Sequence, residues 1–243
     1  MIRSLFQNLR ARLAPPLPAP CPGQTIAVVG DIHGRVDLLQ AFPDLGHIDQ
    51  LIFVGDYIDR GDFSAEVLLT LKELPEAICL MGNHEEMMLS FIDDPATYGP
   101  RWLRHGGVQT LASFGIGGIT DTASPDRLGA ARDALVEAMG PALLDWLRAL
   151  PSFWQTGNVA VTHAGADPSR PMAQQDTAAL RWGHPNFEKT RRDDGLWVVH
   201  GHTIVPVPTL TPGRINVDTG AYATGRLTAA RISDADITFH MFS

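Results

Sequence analysis

One pattern, met three times in the first hundred residues, limits what this chain can fold into more than any other feature. Gln24–Gly30 is an apolar, β-branched run that ends in glycine, passes into Asp31-Ile32-His33-Gly34 and continues as a helical pattern to about Phe42. Asp49–Gly55 runs into Asp56-Tyr57-Ile58-Asp59-Arg60-Gly61, with a helical pattern over Ser64–Leu74. Ala77–Met81 runs into Gly82-Asn83-His84-Glu85, where a Met- and Leu-rich helix begins. Strand, glycine-plus-polar turn and helix in repeated succession predict βαβ units and a largely parallel sheet.

The pattern then changes. From Asp93 to about Leu150 the apolar residues fall at helical spacing, in Arg101–Phe114 and Ala130–Leu150, which reads as a helical insertion or cap at about 93–150. Strands return at Asn158–Thr162, which ends in His163-Ala164-Gly165, and at Leu196–Val199, which ends in His200-Gly201-His202-Thr203. Short strands around Ile215–Asp218, Leu227–Ile232 and Asp236–Phe242 give an antiparallel tail, while Pro168–Ala179 and Asn186–Gly195 read as polar loops at the approach to the site. With 243 residues there is room for one domain, 24–243, preceded by a basic leader and Pro-rich linker at 1–23.

Charge and cysteine content narrow the function classes. A net charge of −8 argues against a nucleic-acid partner, which calls for a basic face. Two cysteines, Cys21 and Cys79, far apart and outside CxxC spacing, exclude a disulfide framework and a zinc ribbon and fit a reducing cytoplasm. No run is long and apolar enough to span a bilayer. Residues 1–13 carry Arg3, Arg10 and Arg12 among Leu and Phe, a pattern that admits weak contact with a membrane surface.

Residues just past the carboxyl ends of neighbouring strands in an open α/β sheet converge on one edge. Asp31, His33, Asp56, Asn83, His84, His163 and His202 all stand at such ends. Carboxylate, amide oxygen and imidazole together suit Mn, Fe or Zn, and the lack of cysteine among them argues against a structural zinc site. A single Asp-x-His or Gly-Asn-His is an ordinary turn; it is their joint placement at strand ends that points to metal chemistry. His47, His105, His184, His200 and His240 are read as structural rather than as ligands.

The ordered set GDIHG (Gly30–Gly34), GDYIDRG (Gly55–Gly61), GNHE (Gly82–Glu85), HAG (His163–Gly165) and HGHT (His200–Thr203) resembles the phosphoprotein phosphatase family of calcineurin-like metallophosphoesterases, in its bacterial and phage serine/threonine phosphatase branch. INVDTGAY (Ile215–Tyr222) and WLRHGGVQTLASFG (Trp102–Gly115) are similar to the same branch, and the resemblance runs from about Thr25 to Ile232. It implies an α/β fold: a β-sandwich flanked by helices, with a helical cap insertion. It also implies two divalent ions, Mn2+ first with Fe or Zn as alternatives, one held by Asp31, His33 and Asp56 and the other by Asp56, Asn83, His163 and His202. In this scheme a metal-bridging hydroxide attacks phosphorus, His84 protonates the leaving alkoxide, Asp59 orients His84, and Arg60 holds phosphate oxygens.

The resemblance implies phosphomonoester hydrolysis, with phosphoserine or phosphothreonine proteins or small phosphoesters as substrates. Two positions depart from the family pattern. Met81 stands where an arginine precedes GNHE, and His184 stands where a second arginine follows Trp182 by two residues; Arg181, Arg191 and Arg192 are the nearby cations. Cleavage of a dinucleoside polyphosphate is therefore the alternative enzymatic reading, and a catalytically inactive binding module is the reading of a different class.

Overall fold

The computed structural model describes residues 16–234 and 236–243, so the leader considered above for membrane contact lies outside the described residues. The three early units appear as β1 (Ile26–Val29), α1 (Val36–Gln40), β2 (Gln50–Phe53), α2 (Ser64–Lys72), β3 (Ile78–Cys79) and α3 (Asn83–Asp93). The insertion is helical: α4 (Pro95–Trp102), a kinked turn (Leu103–Gly107), α5 (Val108–Ser113) and α6 (Pro125–Arg148). Then come β4 (Phe153–Thr156), β5 (Val159–Thr162), a 3-10 turn (Met172–Gln174), α7 (Thr177–Trp182), β6 (Trp197–His200), β7 (Thr209–Thr211), β8 (Arg214–Asn216), α8 (Ala221–Thr224), β9 (Leu227–Ser233) and β10 (Asp236–Phe242). Among the described residues no helix is long and apolar enough to cross a membrane.

The strands form two five-stranded mixed sheets, ordered β10-β9-β1-β2-β3 and β4-β5-β6-β8-β7. A largely parallel sheet is thus half right. β1–β2–β3 pair in parallel, as do β5–β6–β8, but β9 and β10 close one side of the first sheet in antiparallel fashion, and β4 and β7 do so at the two edges of the second. The expected β-sandwich flanked by helices is the fold.

The reason β1 reads as an unbroken apolar run is that both its faces are buried. Ile26 and Val28 enter a core between the sheets with Val159, Val161, Val199 and Ile215. Ala27 and Val29 enter a larger core that holds Leu38, Leu68, Met88, Trp102, Leu135 and Leu147 beneath the helices. The outer face of the second sheet is covered around Ala160 by Met172 and Leu180. The segment read as a polar loop at Pro168–Ala179 therefore contains the 3-10 turn and the start of α7. The Pro-rich segment lies along the second sheet, where Asn158 Oδ1 accepts from Cys21 N–H at 2.6 Å and Trp197 Nε1–H donates to the Pro18 carbonyl at 2.9 Å.

Candidate active site

The carboxyl ends of six parallel strands, three from each sheet, meet in one polar pocket. β1 delivers Asp31 and His33, β2 delivers Asp56, Asp59 and Arg60, and β3 delivers Asn83 and His84 at the first turn of α3. From the other sheet, β5 delivers His163, β6 His202 and β8 Asp218. Asp31, His33, Asp56, Asp59, Asn83, His84, His163 and Asp218 are all buried.

The turns are tight enough to dictate their residues. A Cβ on Gly82 would lie 2.3 Å from Asp56 Oδ1, and one on Gly201 would lie 2.0 Å from Asp31 Oδ1, so only glycine lets these backbones approach the carboxylates. All five non-glycine residues with left-handed φ among those described belong to the pocket: His33, Asp56, Asp59, Arg60 and His202. Such conformations cost energy and persist where surrounding contacts enforce them. Glu85 is one enforcer. Fully buried, it accepts the backbone N–H of Tyr57 at 2.8 Å, Asp56 at 2.9 Å and Gly82 at 3.0 Å, which ties the turn after β2 to that after β3.

Two groups of three side chains bring donor atoms within 4.8 Å of one another: His33, Asp56 and His84, and Asp56, His163 and His202. Asp56 belongs to both. His33 Nδ1 lies 2.7 Å from the Ile58 carbonyl and His163 Nδ1 3.1 Å from the Val54 carbonyl. Each Nδ1–H is thereby spent on backbone and each Nε2 is left to face Asp56, at 3.5 Å and 3.3 Å. Carbonyls that hold each Nδ1–H in this way present the Nε2 lone pairs to a cation. Asn83 Oδ1 lies 2.9 Å from His163 Nε2 and 2.8 Å from His202 Nδ1. Asp31 falls outside both groups, its carboxylate accepting the His202 N–H at 3.1 Å.

His84 differs from His33 and His163 in that its Nδ1 meets a carboxylate rather than a backbone carbonyl. Nδ1 lies 2.6 Å from Asp59 Oδ2, and Arg60 Nη2 donates to Nε2 at 3.1 Å. Burial opposes protonation of His84, but the Asp56 and Asp59 carboxylates outweigh it and raise its pKa. His163 is likewise raised against burial by Asp56, to about 9. Burial lowers His33 to about 3 and His202 to about 4. Burial, reinforced by Asp218, pushes Asp31 well above the usual carboxylate range, and burial lifts Asp218 to about 6. Carboxylates buried this close together call for a compensating cation, and carboxylate, amide oxygen and imidazole fit a divalent transition ion.

Four contributors escaped the reading of the sequence as chemistry. Asp218 and Tyr222 lie in the INVDTGAY segment, and the Tyr222 ring sits edge-on to His33 with Arg60 stacked 4.7 Å above its centroid. Trp102 and Thr110 of the insertion both bond to the Asp59 carboxylate. The two departures are also resolved in space. Met81 is buried in the core under the helices, and His184 lies beside Asp167 at 3.8 Å. Arg181 is committed to Glu86 and Ser152, and Arg192 to Asp194 and two carbonyls. Next to His202 a recess of about 370 Å3 is lined by Trp182, His184, Phe187 and Thr203.

The sequence pattern of the calcineurin-like phosphoesterases matches residues 24–206, and the chain belongs to that family. It is 45% identical over 89 residues to serine/threonine-protein phosphatase 2 of Escherichia coli, a match spanning 34% of this chain and 38% of that protein. It is 26% identical over 236 residues to the bis(5'-nucleosyl)-tetraphosphatase PrpE of Bacillus velezensis, covering 85% of this chain and 88% of that one. Among solved structures, a protein serine/threonine phosphatase from Saccharomyces cerevisiae aligns with a TM-score of 0.55 at 18% identity, over 91% of this chain and 80% of the other. A cold-active protein-tyrosine phosphatase from a psychrophilic Shewanella aligns at 0.56 and 15% identity, over 90% and 80%. At these identities the structures speak for the fold alone.

Proposed function

We propose that this chain is a dinuclear-metal phosphomonoesterase acting on phosphoserine and phosphothreonine in proteins. The observation that carries the reading is the Asp59–His84–Arg60 line beside the two groups of donor atoms. Asp31, His33 and Asp56 would hold one ion, and Asp56, Asn83, His163 and His202 the other. When bound, two divalent ions supply Lewis-acid charge and make water at the site more acidic. The donor set of carboxylate, amide oxygen and imidazole, free of thiolate, suits Mn2+, Fe or Zn, and the family resemblance puts Mn2+ first.

The chain's own groups do the rest. Asp59 fixes the His84 tautomer by taking its Nδ1–H, which points Nε2 into the pocket. Protonated at both nitrogens, and with Arg60 turned from Nε2 to the phosphate, His84 hands its Nε2 proton to the departing ester oxygen, which leaves poorly as a free alkoxide. Arg60, adjacent to Nε2, places its planar fork where it can hold phosphate oxygens.

A second reading, hydrolysis of a dinucleoside polyphosphate, is favoured by Met81 and His184, by the commitment of Arg181 to Glu86, and by the recess of about 370 Å3 whose lining includes Trp182 and Phe187. The test compares p-nitrophenyl phosphate, a phosphopeptide and diadenosine tetraphosphate in the presence of Mn2+. The phosphopeptide is expected to be turned over well, and His84→Asn is expected to lower its kcat by about 10²- to 10⁴-fold with the fold retained. A preference for the tetraphosphate by orders of magnitude in kcat/KM would overturn the substrate assignment. No turnover of any of the three by metal-loaded protein would favour a binding module.

A further inference from the structure

We infer that the helical insertion is part of the proton-delivery apparatus, because Trp102 and Thr110 clamp Asp59 in the one orientation that serves His84. The inference rests on His84 acting as the proton donor. Asp59 is fully buried, and its carboxylate faces three side chains. One is His84; the others come from the insertion. Trp102 Nε1–H bridges both oxygens, at 3.1 Å and 3.0 Å, and Thr110 Oγ1–H donates to Oδ1 at 2.6 Å. Thr110 Oγ1 also accepts the Asp59 backbone N–H at 2.9 Å, assisted by Ser64 Oγ at 3.1 Å. A single hydroxyl thus grips both the amide and the carboxylate of one residue, which fixes its χ1 and its left-handed φ of 69°.

That convergence needs an irregular helix. Trp102 and Thr110 are eight residues apart, which on a regular α-helix is about 12 Å of rise, too far for both to reach one carboxylate side by side. The chain kinks within Leu103–Gly107, where Gly106 takes a non-helical φ of 111°, and the kink breaks the rise between them. The same turn presses the insertion onto the loop after β2. A Cβ on Gly106 would lie 2.5 Å from the Arg60 nitrogen, and one on Gly107 would lie 2.5 Å from the Trp102 ring. Trp102 and Thr110 touch no substrate in this scheme; they are positioning residues. Without them Asp59 can turn from His84, and the ring loses its aim.

The test uses Trp102→Phe and Thr110→Val, which remove the donors while keeping bulk, with Thr110→Ser restoring the hydroxyl. Two esters of equal charge are compared: phenyl phosphate, whose leaving group needs a proton, and p-nitrophenyl phosphate, whose leaving group does not. Phenyl phosphate turnover is expected to fall by about tenfold or more in Thr110→Val and in Trp102→Phe, and p-nitrophenyl phosphate by less than about threefold; Thr110→Ser should recover most of the loss. In zinc-loaded protein labelled at histidine, the downfield Nδ1–H proton of His84, assigned by its absence in His84→Asn, should be lost to solvent exchange in Thr110→Val and Trp102→Phe. Equal losses on both esters with that proton unmoved would overturn the inference. If His84→Asn itself lowers both esters equally, the proton-donor reading falls instead. The clamp is then judged by the Nδ1–H proton alone: persistence in both variants refutes it.

Discussion

Replacing Glu85 with Gln gives a stability change that can be worked out atom by atom. Glu85 Oε2 accepts from Asp56 and Gly82, and Oε1 from Tyr57, with Ile58 at a longer 3.4 Å. Glutamine has one acceptor oxygen, so its NH2 must face backbone N–H groups on one side. The least damaging orientation keeps Asp56 and Gly82 paired and leaves the Tyr57 donor opposite another donor, in a fully buried site. A buried donor deprived of its partner costs about 1–3 kcal/mol, and the amide NH2 is a second such group, so the expected loss is about 2–5 kcal/mol. For a domain whose whole stability is about 5–15 kcal/mol this is a large fraction. Urea unfolding of chelated protein, followed by circular dichroism, should show a midpoint about 1–2 M lower at unchanged slope. That loss belongs to the ionised form of Glu85. Burial and the neighbouring Asp56 push its carboxyl up to about 7, while the N–H donors pull it down. If the group were protonated in the folded protein, an amide would mimic it and Glu85→Gln would cost less than about 1 kcal/mol, which would refute the ionised anchor.

Two further outcomes follow from the pocket. Tyr222→Leu removes the ring beneath Arg60, a stacking contribution of about 0.5–1 kcal/mol at a partly exposed site, so KM for p-nitrophenyl phosphate should rise about two- to fivefold with kcat little changed; an unchanged KM would rule out a role for the ring in holding Arg60. Burial lowers the pKa of His200 to about 4, so the unfolded chain takes up its proton below about 6.5 while the folded one does not. His200 therefore contributes stability that is present above its unfolded pKa and is lost as pH falls toward 4. His200→Gln should flatten the acid-side slope by about 1 kcal/mol per pH unit in chelated protein, and an unaltered slope would contradict the shift.

Much of this was legible because sheet burial and chemistry coincide. Strands buried on both faces, β1 and β6, stand out as apolar runs, and the glycines and polar residues that follow them mark where the backbone turns into the pocket. Legibility failed where burial was partial. β4 (FWQT) is only half-buried and β7 (TLT) is a short, exposed edge, so neither carries a periodic signal, and without them the second sheet could not be seen to be mixed. Within the insertion, Arg101–Phe114 has helical spacing, yet the structure divides it into α4, the kinked turn and α5, and α6 begins earlier than Ala130 and bends at Gly140. Trp102 and Thr110 look like core positions of an amphipathic helix. Their bonds to Asp59 depend on the backbone of Gly106, which no periodicity reports.

The pairing of β1 bears on when this protein becomes able to work. Its partner on one side, β2, lies 24 residues on (Ile26 opposite Gln50), whereas its partner on the other, β9, lies 206 residues on (Ile26 opposite Ile232). During synthesis the strand that carries Asp31 and His33 can therefore pair on one side only, with its other edge open to mispairing until β9 has been made. Gly30, the residue that launches the Asp31 turn, donates to the Thr228 carbonyl at 3.0 Å and packs against Val217. The pocket is consequently a product of late, long-range closure, slow by the measure of contact order. A ribosome-tethered chain released short of β9 should have its early βαβ units in place and no competent centre.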